Sequence, residues 1–179
     1  MKKKTPFPII HIIGLPGAGK TTLARRLSKV LRIPILGIGR YRARFPKTPI
    51  GEADAWLALF RELSYHRWKN CILETTGLNC REGFLRSILP FGQIVTIKLE
   101  ASRKTLFRRI GRKKKKDRGG QWLYSSTYRD KYEFVQKLFK NFSKVHADYY
   151  IDTDRLSKVD VFRKAFDKID SISEMMPDD

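Results

Sequence analysis

Eight consecutive residues, Gly14-Leu15-Pro16-Gly17-Ala18-Gly19-Lys20-Thr21, fit the spacing G-x-x-x-x-G-K-[ST] at every fixed position. Their flanks constrain the fold as strongly as the match does. The apolar run Pro8-Ile9-Ile10-His11-Ile12-Ile13 precedes them, and the helix-like stretch Thr22-Leu23-Ala24-Arg25-Arg26-Leu27 follows. A strand that turns through glycines into a helix aims successive backbone N–H groups at one anion. The helix start adds the positive end of its dipole. Lys20 is long enough to reach outer phosphates, and the Thr21 hydroxyl suits Mg²⁺. Gly14, Pro16, Gly17, Ala18, Gly19, Lys20, Thr21 and Thr22 are therefore the expected binding residues for a nucleoside triphosphate.

The rest of the chain alternates short β-like runs with helical ones. Strands are expected at Ile9–Ile13, Ile33–Ile38, Cys71–Leu73, Gln93–Leu99 and Tyr149–Ile151. Helices are expected at Lys20–Leu31, Gly51–Trp68, Arg81–Leu89, Arg103–Arg112 (with Ser102 as N-cap), Thr127–Val145 and Val159–Ile172. Arg40–Pro49 is basic and broken by proline, so it reads as a loop. This order implies an α/β fold: a three-layer α/β/α sandwich around a mostly parallel five-stranded sheet. Ligands of such sheets sit beyond the carboxyl ends of the strands. That rule gathers the glycine loop, Arg40, Glu74 and the segment after Leu99 around one cleft.

With 179 residues, 41% of them hydrophobic, the chain suits one domain over residues 1–173, with a basic lid at about 113–126 and an acidic tail at 174–179. No apolar run approaches the roughly 20 residues of a membrane span. The basic N-terminus is not read as a signal peptide, because cleavage there would destroy the glycine loop. Cys71 and Cys80 lack metal-site spacing, and a reducing cytoplasm suits them. Thirty-eight Lys and Arg against 18 Asp and Glu give a net charge of +20, which predicts anionic partners. A nucleotide, a nucleic acid and an anionic membrane all satisfy that charge.

Glu74 ends the Cys71-Ile72-Leu73 run, where a carboxylate can hold the hydration shell of Mg²⁺ or accept a proton from an attacking hydroxyl. Thr75 and Thr76 follow it. They either orient a substrate or only make the turn. Residues Arg103 to Arg118 hold ten cations in sixteen positions. Arg108 and Arg112 stand four apart, on one helix face, where two guanidiniums could clamp a migrating phosphoryl group. The four lysines Lys113–Lys116 read better as a solvated or nucleic-acid-binding patch. Arg40, Arg42 and Arg44 alternate with Tyr41 and Phe45. An anionic-acceptor grip, a single-strand binding surface and a plain basic loop all fit them. The stripe Tyr128–Phe142 has helical period and reads as core, and His11, His66 and His146 read as structural.

Taken together, these residues resemble the small P-loop kinases, the superfamily of nucleoside-monophosphate, shikimate and gluconate kinases. The likeness is greatest to the branch with polynucleotide 5′-kinase-type domains and AAA-family ATPases. It rests on Gly14–Thr22, on Ile72-Leu73-Glu74-Thr75-Thr76-Gly77-Leu78-Asn79, on Leu106–Arg112 as an Arg-x-x-x-Arg entry to a lid, and on Ala147-Asp148-Tyr149-Tyr150-Ile151-Asp152-Thr153-Asp154. The resemblance implies ATP as donor, with Mg²⁺ held by Thr21 and Glu74. It assigns catalysis to Lys20, Glu74, Arg108 and Arg112, and acceptor binding to Arg40, Arg42, Thr75 and Thr76. In one respect the chain departs from the family: no acid follows the second strand, and Glu52 or Asp54 could substitute only if the loop folds back. A phosphorylated acceptor needs no strong base, so a small anionic acceptor is the expectation. A 5′-hydroxyl polynucleotide kinase using the basic lid, and a non-catalytic nucleotide-binding module or slow ATPase, are the alternatives.

Overall fold

The computed structural model describes residues 7–79, 81–83, 85, 89, 93–112 and 130–173. The expected lid, the acidic tail, Cys80, Tyr128 and four of the nine positions of the expected helix at 81–89 lie outside these residues.

Strands β1 (Ile9–Gly14), β2 (Ile35–Gly37), β3 (Cys71–Glu74), β4 (Ile94–Glu100) and β5 (Tyr149–Asp152) form one five-stranded sheet in the order β2-β3-β1-β4-β5. Every pairing is parallel. The central strand β1 is buried along its whole length, as expected when both faces of a parallel sheet are covered. Successive side chains alternate between two cores. Ile10, Ile12, Val95 and Ile97 face one, with Leu23 and Leu27 of α1 (Lys20–Leu31) and Ala165 and Ile169 of α6 (Lys158–Ser173). Ile9, Leu73 and Ile94 face the other, with Trp56, Leu59 and Leu63 of α3 (Pro49–Tyr65). The three-layer sandwich expected from the sequence is the architecture found.

The region after β2 differs from the expectation. The strand stops at Gly37, and Ile38 opens a short helix, α2 (Ile38–Arg42), inside the stretch expected to be strand and loop. Ile38 and Tyr41, three apart, bury one side of that turn. Helix α3 then starts two residues early. Pro49 stands in its first turn and the Thr48 hydroxyl accepts from Gly51 N at 3.1 Å. It also ends early, because Arg67, Trp68 and Asn70 take positive φ.

Helix α4 (Arg103–Gly111) begins at the expected cap, with Ser102 Oγ accepting from Thr105 N at 3.3 Å. Helix α5 (Lys131–Ser143) is capped by Asp130, whose carboxylate accepts from the amides of Tyr132 and Glu133. Phe142 and Val135 are buried on its inner side, so its described aromatics pack as core.

One buried residue holds α5 to the sheet. Lys98 lies in the apolar strand β4 with a fully buried side chain. Its Nζ donates to the carbonyls of Ser143 (3.2 Å) and Val145 (2.9 Å) and pairs with Glu100 at 2.9 Å. It therefore caps the negative end of α5. Lys98→Met keeps the stem and removes the donor, leaving those carbonyls and Glu100 without it. Urea unfolding should show a loss of about 2–3 kcal/mol. Unchanged stability would mean the ammonium is dispensable.

Candidate nucleotide and acceptor site

The glycine loop runs from the end of β1 into α1 as its spacing requires. Gly17 (φ 87°) and Gly19 (φ 105°) both take left-handed conformations, and Gly19 is the N-cap of α1. Few other residues hold such angles without strain. Ala18 N donates to Leu15 O at 3.1 Å and closes the turn. A Cβ on Gly17 would stand 2.9 Å from the Leu106 carbonyl oxygen. The backbone of α4 thus rests directly on the loop. Lys20 arches back over it, with Nζ donating to Gly14 O at 2.8 Å. Thr21 and Thr22 are exposed at the start of α1.

Parallel pairing sets Glu74 opposite Ile12, beside the loop. Thr21 Oγ1 donates to Glu74 Oε1 at 2.6 Å, although the two residues are 53 positions apart. A hydroxyl and a carboxylate at one point form a hard oxygen pair of the kind Mg²⁺ takes. Among the described residues, no group of three or more His, Cys, Asp or Glu is arranged to hold a metal ion.

Thr75 turns inward. It is 2% exposed, its hydroxyl shares a 2.8 Å hydrogen bond with His11 Nε2, and its amide donates to Ile12 O. Thr76 is half-buried next to Gly77, whose positive φ lets the chain pass Ile13 closely. Arg40 is exposed on α2. Arg42 is not free to grip an acceptor: Nη2 and Nε donate to Glu52 at 2.7 and 3.1 Å. Glu52 also accepts from Trp56 Nε1 at 2.7 Å and Asn79 Nδ2 at 3.3 Å. The loop folds back far enough to bring Glu52, in the first turn of α3, against Arg42 of α2.

Arg108 lies exposed on α4 and Arg112 exposed at its C-cap. Neighbouring Arg109, which the sequence reading counted only as part of a basic run, reaches the loop. Its Nη1 donates to Gly17 O (3.3 Å) and Thr153 Oγ1 (2.8 Å), and Nη2 donates to Thr153 O. Helical geometry held the clue: Arg109 flanks the buried Leu106 and Ile110, whereas Arg108 and Arg112 are exposed. Asp154 accepts from Ser102 N at 3.0 Å and secures the start of α4. Partial burial raises its pKa, but the Ser102 hydroxyl and amide, Thr105 and the Arg109 charge outweigh that and hold it below the usual carboxylate value.

Residues 10–136 match the model of a family described as an AAA domain. The shikimate kinase of Bacteroides thetaiotaomicron superposes with a TM-score of 0.62, covering 94% of this chain and 99% of its own at 17% identity. A gluconokinase from Sinorhizobium meliloti 1021 gives 0.64, covering 96% of each chain at 13% identity. A sugar kinase from Janibacter sp. HTCC2649 also gives 0.64, covering 97% of this chain and 100% of its own at 14% identity. A search of the curated proteins gives no significant match. At such identities the structures share a fold and no more. The family model spans the glycine loop, Glu74 and all of α4, and the chain belongs to the AAA domain family, with the fold of the small P-loop kinases.

Proposed function

We propose that this protein is an ATP-dependent, Mg²⁺-requiring phosphotransferase that moves the γ-phosphate to a small anionic acceptor. The observation that carries the reading is the 2.6 Å contact between Thr21 and Glu74 at the mouth of a left-handed glycine loop. The loop amides and Lys20 bind the donor phosphates. Thr21 and Glu74 hold the metal, which when bound offsets charge on the outer phosphate oxygens. Arg108 and Arg112, exposed on α4 and at its C-cap, swing onto the migrating group and stabilise charge on its oxygens. An acceptor oxygen forms the new bond to phosphorus, the bond to the bridging oxygen breaks, and that electron pair leaves with ADP. Arg40 and Arg44, both exposed beyond β2, receive the acceptor's charge. Arg42 instead anchors the neighbourhood through Glu52. Residues 1–173 are taken as a single domain; the basic lid expected at about 113–126 lies outside the described residues. A reducing cytoplasm suits Cys71, a buried free thiol that burial pushes up to about 12.

The exposed Arg40 and Arg44, with the +20 charge, also support a second reading in which a 5′-hydroxyl polynucleotide is the acceptor. A labelled γ-phosphate screen over nucleosides, nucleotides, sugars, sugar acids and 5′-hydroxyl oligonucleotides decides between them. Label on a small phosphorylated or carboxylated acceptor, insensitive to salt, is the expected result. Transfer to oligonucleotides that falls steeply with salt selects the second. Tight MgATP binding with no label on any acceptor refutes transfer and leaves a nucleotide-binding module.

Glu74→Gln separates metal holding from base catalysis. The Mg²⁺ concentration for half-maximal turnover should rise about tenfold. If turnover at saturating Mg²⁺ collapses with that concentration unchanged, Glu74 is the base.

A further inference from the structure

Three segments remote in sequence meet at one guanidinium. Arg109 of α4 donates to the Gly17 carbonyl in the glycine loop and to both the hydroxyl and the carbonyl of Thr153, just past β5. Thr153 is itself fixed. It is 4% exposed, and its N and Oγ1 donate to the Glu100 carbonyl at 2.8 and 3.0 Å. One side of the guanidinium is therefore tied to the rigid end of the sheet and the other to the loop.

The loop needs such a tie. Its Gly17–Ala18 peptide is planar, so its carbonyl and amide turn together. The amide end is held by Leu15 O and the carbonyl end by Arg109. With both ends held, the amides that follow start from a set direction, and in an anion nest that direction governs binding. Gly17 has no side chain to steady it, and its φ of 87° is one that only glycine adopts readily in both directions.

We propose that Arg109 is a positioning residue that preorganises the phosphate loop by tethering the Gly17 carbonyl to the end of β5. The proposal rests on the nucleotide-binding reading above and deepens it. Arg109 touches no phosphate. It acts through the loop backbone, whereas the exposed Arg108 and Arg112 are proposed to act on the migrating group. A lysine cannot replace it, because one ammonium cannot span Gly17 and both Thr153 oxygens as the planar fork does.

Calorimetric titration with magnesium tripolyphosphate and with MgATP tests this on wild type, Arg109→Lys, Arg109→Met and Thr153→Val. Both ligands should bind Arg109→Lys and Arg109→Met about tenfold more weakly. The melting temperature of Arg109→Lys should stay close to wild type. Arg109→Lys combined with Thr153→Val should be no weaker than Arg109→Lys alone, since the two residues form one tether. If Arg109→Met fails to fold, Arg109→Lys carries the test. Folded Arg109→Lys with wild-type affinity for both ligands makes Arg109 a mere strut of α4 and overturns the proposal. Weakened ATP binding with unchanged tripolyphosphate binding overturns it too, by placing Arg109 at the nucleoside. A wild type that binds both ligands yet transfers to no acceptor sinks the phosphotransferase reading alone. A wild type that binds neither sinks both.

Discussion

Lys20→Ala should lower γ-phosphate transfer by about a thousandfold while leaving the melting temperature near that of wild type. The rate effect follows from charge. The ammonium is the one side-chain cation within the loop motif, and a preorganised donor at a developing negative charge contributes on this scale. The small stability effect follows from position. Lys20 is half-buried, and its hydrogen bonds to Gly14 O and Leu15 O are to carbonyls of its own loop, which water can satisfy. Single-turnover kinetics with labelled ATP, beside a thermal melt, measure both. Turnover retained in the variant would remove Lys20 from the chemistry.

The largest stability effect within the site is expected at Gly17. An alanine there must hold φ 87° and place its Cβ 2.9 Å from the Leu106 carbonyl oxygen. The left-handed conformation costs about 1–2 kcal/mol and the overlap about 1–3 kcal/mol more. Gly19 supplies the control. Its φ is 105°, but nothing lies within 4 Å of a built Cβ, so Gly19→Ala meets only the conformational cost. Urea unfolding should therefore rank Gly17→Ala well below Gly19→Ala, and MgATP affinity should fall in the first as α4 is pushed off the loop. Equal stability of the two variants would mean that α4 does not rest on the loop as described.

Much of the fold was legible because its signals are local. The glycine loop, the apolar β1 and the spacing of Leu23, Leu27 and Leu31 define a strand, a turn and a helix, and α1 has the bounds its periodicity predicts. The Ser102 cap of α4 was readable for the same reason. What escaped depends on partners far along the chain. Ile38–Arg42 looks like strand and loop until Tyr41 finds Glu62 and Arg42 finds Glu52. Thr75 looks like a cleft residue until parallel pairing brings His11 beside it. Arg109 looks like one more cation until α4 is laid across the loop. The Thr21–Glu74 contact is the opposite case. Thr21 was named from the glycine-loop spacing and Glu74 from its strand-end position, and the register of β1 against β3 put them together.

The placement of β1 also sets a timetable for making the molecule. Both sheet neighbours of this strand, Cys71–Glu74 and Ile94–Glu100, lie C-terminal to it. At about 5–20 residues per second, its oily backbone waits seconds on the ribosome before either arrives. Pairings this remote in sequence form slowly, and an unpaired apolar strand is prone to association. The nascent chain must therefore keep β1 shielded until Cys71–Glu74 and Ile94–Glu100 have been translated, and chaperone capacity in the producing cell becomes a determinant of yield.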